Sequence, residues 1–236
     1  APCFAAVFLI WRTYGLKGLG SFFRRLTLSR MPRAWWLFLL LGIPAIKYLG
    51  AALNGTISDP FPFSPWYQVL PVLGQVFFLL GTNEEFGWRG LAQPLLQRKL
   101  APVWAGAIVG IIWATWHLPA FLFGGGVQYG SWAIVPFFGG VIALSIIVTP
   151  MFNSSRGSLL IAYLYHFQMM NPIFPNGQPW DNLLFGITAV IIVILNRRTM
   201  FKKGTGVTEV LMPERDREIT HEADETTNNS LSTTTA

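Results

Sequence analysis

The sequence predicts an all-α protein, a polytopic transmembrane helical bundle with six full spans plus a truncated one at the N-terminal side. Three observations lead there. Of the 236 residues 52% are hydrophobic and only 12% charged, roughly half the charged share of a soluble domain. The apolar residues come in blocks of roughly 15 to 20, the length that crosses a hydrocarbon core as a helix, and the alternating polarity of a closed barrel is missing. The loops between the blocks alternate between basic and neutral or acidic, as the positive-inside rule requires of successive crossings.

Residues 1–11 read as the end of a span, so one or more helices are expected before them. A basic loop follows, with Arg12, Lys17, Arg24, Arg25, Arg30 and Arg33. Residues 34–53 form the next span, in which Lys47 must snorkel or face the protein interior. The loop to Pro65 holds three prolines and one Asp. The block 66–80 runs into the polar string GTNEEFGWRG and a short amphipathic continuation ending at Arg98 and Lys99. Residues 103–123 contain His117 and a Gly106-x-x-x-Gly110 pair that lets a neighbouring helix approach closely. A span at 132–152 and a loop with Arg156 precede residues 158–170, apolar except for His166 and Gln168. After a proline-rich loop with Asp181, the last span, 182–195, is closed by Arg197, Arg198, Lys202 and Lys203.

This pattern places the Arg24/Arg25 loop, the Arg98/Lys99 end, Arg156 and the C-terminus in the cytoplasm. Residues 1–203 make the membrane domain. Residues 204–236, polar and rich in Thr and Glu, are expected to be a disordered cytoplasmic tail, which sets His221 aside from chemistry. The net charge of +6 lies between apolar blocks, so it reads as a topology signal and no nucleic-acid partner is expected. The single cysteine, Cys3, excludes an internal disulfide.

A carboxylate or imidazole at membrane depth costs at least a few kcal/mol, so function is its default explanation. Three clusters qualify. In Glu84-Glu85-Phe-Gly-Trp-Arg89, Glu85 and Arg89 are four apart and share a helix face, while Glu84 points about 100° away and is free to act as a base. Thr82-x-x-Glu85 also fits a capping box, so the acids could simply start a helix. Trp113 stands one turn before His117, and His166 is followed by Asn171. Either histidine alone could equally be bonded to a neighbouring helix. Together, a carboxylate and two imidazoles on three apolar segments can converge to polarise a water for attack on a peptide carbonyl, with a His or Asn stabilising the oxyanion. No Gly-x-Ser-x-Gly or His-Glu-x-x-His competes.

The order Glu-Glu-x-x-x-Arg, aromatic-x-x-x-His, then His with a following Asn resembles the CPBP family of membrane proteases, over residues 66–195. That family includes type II CAAX prenyl endopeptidases and bacterial relatives linked to bacteriocin processing and self-immunity. The resemblance implies a membrane-embedded endopeptidase with Glu84 as general base and His117 helping it activate the water. Glu85 and Arg89 would fix the site, and His166 with Asn171 would stabilise the oxyanion. It implies a peptide or lipidated protein as substrate, membrane lipids as surroundings, and a bacterial plasma membrane as location. The family has been described both as metal-dependent and as metal-free glutamate chemistry, so no cofactor is fixed, and two His and a Glu leave a divalent metal such as zinc open. The family's third motif usually has Asn or Asp four residues after the His; here Met170 stands there and Asn171 comes next, about 100° around a regular helix. A helix irregularity before Pro172 could restore its direction. Trp113 in place of the more usual Phe is a milder departure. The alternative is a non-catalytic membrane protein of the same fold, acting in immunity or as a scaffold.

Overall fold

The computed structural model describes residues 2–79, 81–122 and 134–213, which are helical with no strand among them. Helix α1, Pro2–Arg24, is broken at Gly15, whose φ of 66° is a backbone conformation glycine adopts without strain. The basic loop expected from residue 12 is therefore largely helical. Leu19, Phe22, Phe23 and Leu26 recur at helical spacing and pack against Phe86 and Leu159, which holds this half of α1 in place. Helix α2, Arg33–Asn54, includes a π turn at Phe38–Gly42 and stops on left-handed Gly55. Helix α3 is Val69–Phe78. Helix α4 covers 85–97 and also contains a π turn, Trp88–Ala92. Then come α5 (Pro102–Trp116), the short α6 (Leu118–Leu122), α7 (Ile134–Ser154), α8 (Leu159–Met169), α9 (Trp180–Leu195) and α10 (Arg197–Met200).

Three stretches of the described residues, Arg33–Asn54, Pro102–Leu122 and Ile134–Ser154, are long and apolar enough to cross a membrane as unbroken helices, where six full crossings were expected. Helix α9 is shorter, at 16 residues. Helices α3 and α8 have 10 and 11 residues, which at about 1.5 Å per residue rise through about half of a ~30 Å hydrocarbon core. Polar residues cut both short: Thr82 and Asn83 close the end of α3, and Ser158 caps the start of α8 by accepting the Ile161 N–H.

The Gly106/Gly110 pair does bring two helices together. A Cβ on Gly110 would lie 2.8 Å from the Cα of Ile142 in α7, and Ser145 donates to the Gly106 carbonyl at 2.7 Å. Helix α9 fills the other side of α7, and Leu39, Ile43, Ile147, Met151 and Phe185 form the core between α2, α7 and α9. At one end of that core Lys47 points inward, its Nζ 2.8 Å from buried Asp181. Lys47→Met is expected to lower stability by about 3 kcal/mol, because it leaves a buried carboxylate without its cation. The double variant Lys47→Met/Asp181→Asn should regain most of that loss; unfolding in detergent is the measurement.

The basic connections gather at one end of the bundle. Buried Arg25 donates from Nε to the Gly157 carbonyl (2.9 Å) and from Nη1 to those of Gly90 (2.9 Å) and Val210 (3.0 Å). Left-handed Gly157 is needed there, since a Cβ would lie 2.9 Å from Val207 and 3.0 Å from the Arg25 guanidinium. Residues 204–213, expected as the start of a disordered tail, run as a strap across this end. Gln97 donates to the Val207 carbonyl, Asn153 accepts the Val207 N–H, and Val210 and Met212 are buried. The rest of the expected tail, from 214 onward, with His221, lies outside the described residues. The loops around Asn54 and Asn176 meet at the opposite end, where Asn54 and Thr56 both donate to the Asn176 carbonyl.

Candidate active site

The site begins where α3 ends. Thr82 donates to the Val76 and Phe77 carbonyls and Asn83 to that of Phe78, so these residues finish α3 and Glu85 does not reach back as a capping box would require. From α8, the Tyr163 hydroxyl also donates to the Phe77 carbonyl. A 3₁₀ turn, Gly81–Glu84, then delivers Glu84 and Glu85 to different faces.

Glu85 turns inward. Its Oε1 accepts Arg89 Nη1 at 2.9 Å and His166 Nδ1 at 2.8 Å, all three side chains being buried. The four-residue spacing predicted the first contact; the second clasps α4 to α8. Glu84 turns toward α5, where its carboxylate accepts three indole N–H groups. Oε2 takes those of Trp88 (3.2 Å) and Trp113 (2.9 Å), and Oε1 takes that of Trp116 (3.0 Å).

Trp113 joins the two halves. Its ring lies beneath the Arg89 guanidinium at 5.0 Å and beside the His166 ring at 5.1 Å, while its carbonyl accepts from His117 Nδ1 at 2.9 Å. A carbonyl can only accept, so Nδ1 carries the proton and the Nε2 of a neutral His117 keeps its lone pair. Glu84 and His117 line one open cavity of about 770 Å³, whose other walls include Ile111, Ile112, Trp116 and Pro119. Among the described residues they are the ionisable groups on this apolar groove.

Of the six residues expected at the site, the structure thus makes two groups back to back on Trp113: Glu84 with His117 on the groove, and Glu85, Arg89 and His166 behind it. Asn171 belongs to neither. Pro172 does end α8, but the freed Asn171 donates to Gln168 (3.1 Å) and accepts the Ile173 N–H (3.2 Å) within its own turn. Among the described residues no three His, Cys, Asp or Glu side chains come together, and the two histidines face different glutamates.

Trp88 and Trp116 are site residues the sequence reading missed. The signals were there: Glu84 and Trp88 are four apart, and an indole N–H in apolar surroundings needs an acceptor where few exist.

Residues 65–171 match the family model "Type II CAAX prenyl endopeptidase Rce1-like". The chain is also 29% identical over 186 residues to CAAX prenyl protease 2 of Methanococcus maripaludis, a match covering 73% of this chain. It spans 65% of that relative, just under two thirds of its length. The matched segment holds Glu84, Glu85, Arg89, His117, His166 and Asn171, and over it the chain is similar to the Rce1-like type II CAAX prenyl endopeptidases.

Proposed function

We propose that this integral membrane protein is a CAAX-type endopeptidase, which hydrolyses a peptide bond of a prenylated or otherwise lipidated substrate with water activated by Glu84 and His117. The observation that carries this is the groove: an open, mostly apolar cavity of about 770 Å³ with one carboxylate and one imidazole on its wall. In the proposed step Glu84 takes a proton from water, with the lone pair of His117 Nε2 helping to hold and polarise it. The hydroxide adds to the scissile carbonyl. The proton then passes to the leaving amine as the tetrahedral intermediate collapses. Glu85, Arg89 and His166 clasp α4 to α8 and so fix the wall from which Glu84 projects. The basic end, with Arg25, Arg98 and the 204–213 strap, faces the cytoplasm of a bacterial cell by the positive-inside rule.

Asn171 favours a second reading, a non-catalytic protein of the same fold, because the expected oxyanion pair of His166 and Asn171 is not assembled on the groove. One experiment separates the two. Purified protein in nanodiscs is incubated with a prenylated CAAX peptide, and release of the C-terminal tripeptide is followed by mass spectrometry for the wild type and Glu84→Gln. Release by the wild type and not by the variant supports the protease. Equal release, or none from the wild type, rejects it.

A further inference from the structure

We propose that Trp88, Trp113 and Trp116 are positioning residues whose indole N–H groups hold the Glu84 carboxylate with a single acceptor site, on Oε1, left open to the groove. This rests on Glu84 acting as the base.

An ionised carboxylate offers about four acceptor sites, two on each oxygen. Oε2 uses both of its own on Trp88 and Trp113, and Oε1 uses one on Trp116. One site remains for water. The clamp also spans two helices. Trp88 lies one turn beyond Glu84 on α4, whereas Trp113 and Trp116 come from successive turns of α5, so rotation of the Glu84 side chain would break bonds to both. Trp88 and Trp113 are buried and Trp116 is 47% exposed, so the clamp is rigid on the Oε2 side and borders the groove on the Oε1 side. Trp113 fixes the second base as well: through its carbonyl it holds Nδ1–H of His117 and leaves Nε2 as the acceptor. The two open acceptors that must share one water are thus set by one residue, through its side chain for Glu84 and its backbone for His117.

Trp→Phe keeps an aromatic ring and removes the N–H. Losing one hydrogen bond to a charged group predicts a fall in kcat of about tenfold to a hundredfold for Trp113→Phe and Trp116→Phe, with KM for the prenylated peptide held within about threefold. A Trp116 that served only as apolar wall would instead raise KM and leave kcat alone. A second readout needs no activity. With the ten tryptophans labelled at the indole nitrogen and assigned by single Trp→Phe variants, Glu84→Gln should move the N–H resonances of Trp88, Trp113 and Trp116 and leave the remainder near their positions. Unchanged kcat in both foldable variants, or those three resonances unmoved, overturns the proposal. If the wild type hydrolyses nothing, the resonances still decide: their movement sustains the indole clamp while the protease reading falls, and their constancy removes both. Should Trp113→Phe fail to fold, the half-exposed Trp116→Phe carries the kinetic test.

Discussion

Glu84→Gln is expected to lower hydrolysis of a prenylated peptide by about a hundredfold to ten-thousandfold while leaving the protein folded. A positioned general base contributes about 10²–10⁴ to a rate, and the amide that replaces it cannot take the proton from water. The substitution is not isosteric for hydrogen bonding in this setting. Donors from Trp88 and Trp113 converge on Oε2 and one from Trp116 on Oε1. Whichever way the amide is turned, its NH₂ meets at least one indole N–H. The lower-cost orientation keeps the carbonyl on Trp88 and Trp113 and gives up Trp116, a loss of about 1–2 kcal/mol. Single-turnover hydrolysis and thermal unfolding on the same preparation separate the two effects. A rate loss under tenfold would show that Glu84 is not the base.

The largest effect on stability is expected from Arg25→Met, a loss of about 4–5 kcal/mol. The side chains are similar in length, so little volume changes, but three buried carbonyls, of Gly157, Gly90 and Val210, lose their donor at about 1–3 kcal/mol each. The guanidinium also sits against the rings of Phe22 (5.8 Å) and Phe152 (5.5 Å), contacts a thioether only partly replaces. Arg25→Lys should recover less than half, because a single ammonium on a flexible stem cannot present the planar fork that reaches three separate carbonyls. Burial pulls the Arg25 guanidinium down to about 9, with Glu209 opposing, so it remains charged at neutral pH. The folded value lies below the ordinary 12.5, hence the unfolded chain binds this proton more tightly. The cost of burying the charge is then full below about pH 9 and is relieved only above it. The wild-type minus Arg25→Met difference should therefore be flat between pH 6 and 8. A loss under about 1 kcal/mol, or a steep pH dependence in that range, would contradict this account.

What the sequence made legible was whatever depends on spacing along one helix. Glu85 and Arg89 pair as four-residue neighbours, and Gly106 and Gly110 admit α7. What it did not show depends on which faces meet. Trp88, four residues after Glu84, was within reach of the same spacing argument, but Trp116 could be recognised as a Glu84 ligand only once α4 and α5 were known to lie side by side. Arg25 resembled every other basic residue of its loop, and nothing local marks it as buried. Residues 204–213 were lost to composition: averaged over a polar segment, Val207, Val210 and Met212 do not register, yet they fill places between α1, α4 and the turn after α7. Asn171 failed differently. The sequence left open a helix irregularity before Pro172 that could redirect it; the helix does end there, but an Asn released from a helix satisfies its own turn more readily than a distant site.

The strap has a consequence for the order in which the molecule can be completed. Arg25 leaves the ribosome about 185 residues before the carbonyl of Val210, the separation of the two partners along the chain. Near the end of that interval a nascent chain has made α1 to α10, but the guanidinium still lacks one of its three acceptors and Phe22 and Phe86 lack Val210 as cover. The joint between the first helix and the helix that carries Glu85 and Arg89 is closed from the far end of the described chain. Translation that stops between residues 201 and 209 leaves α1 to α10 made and that joint unsealed.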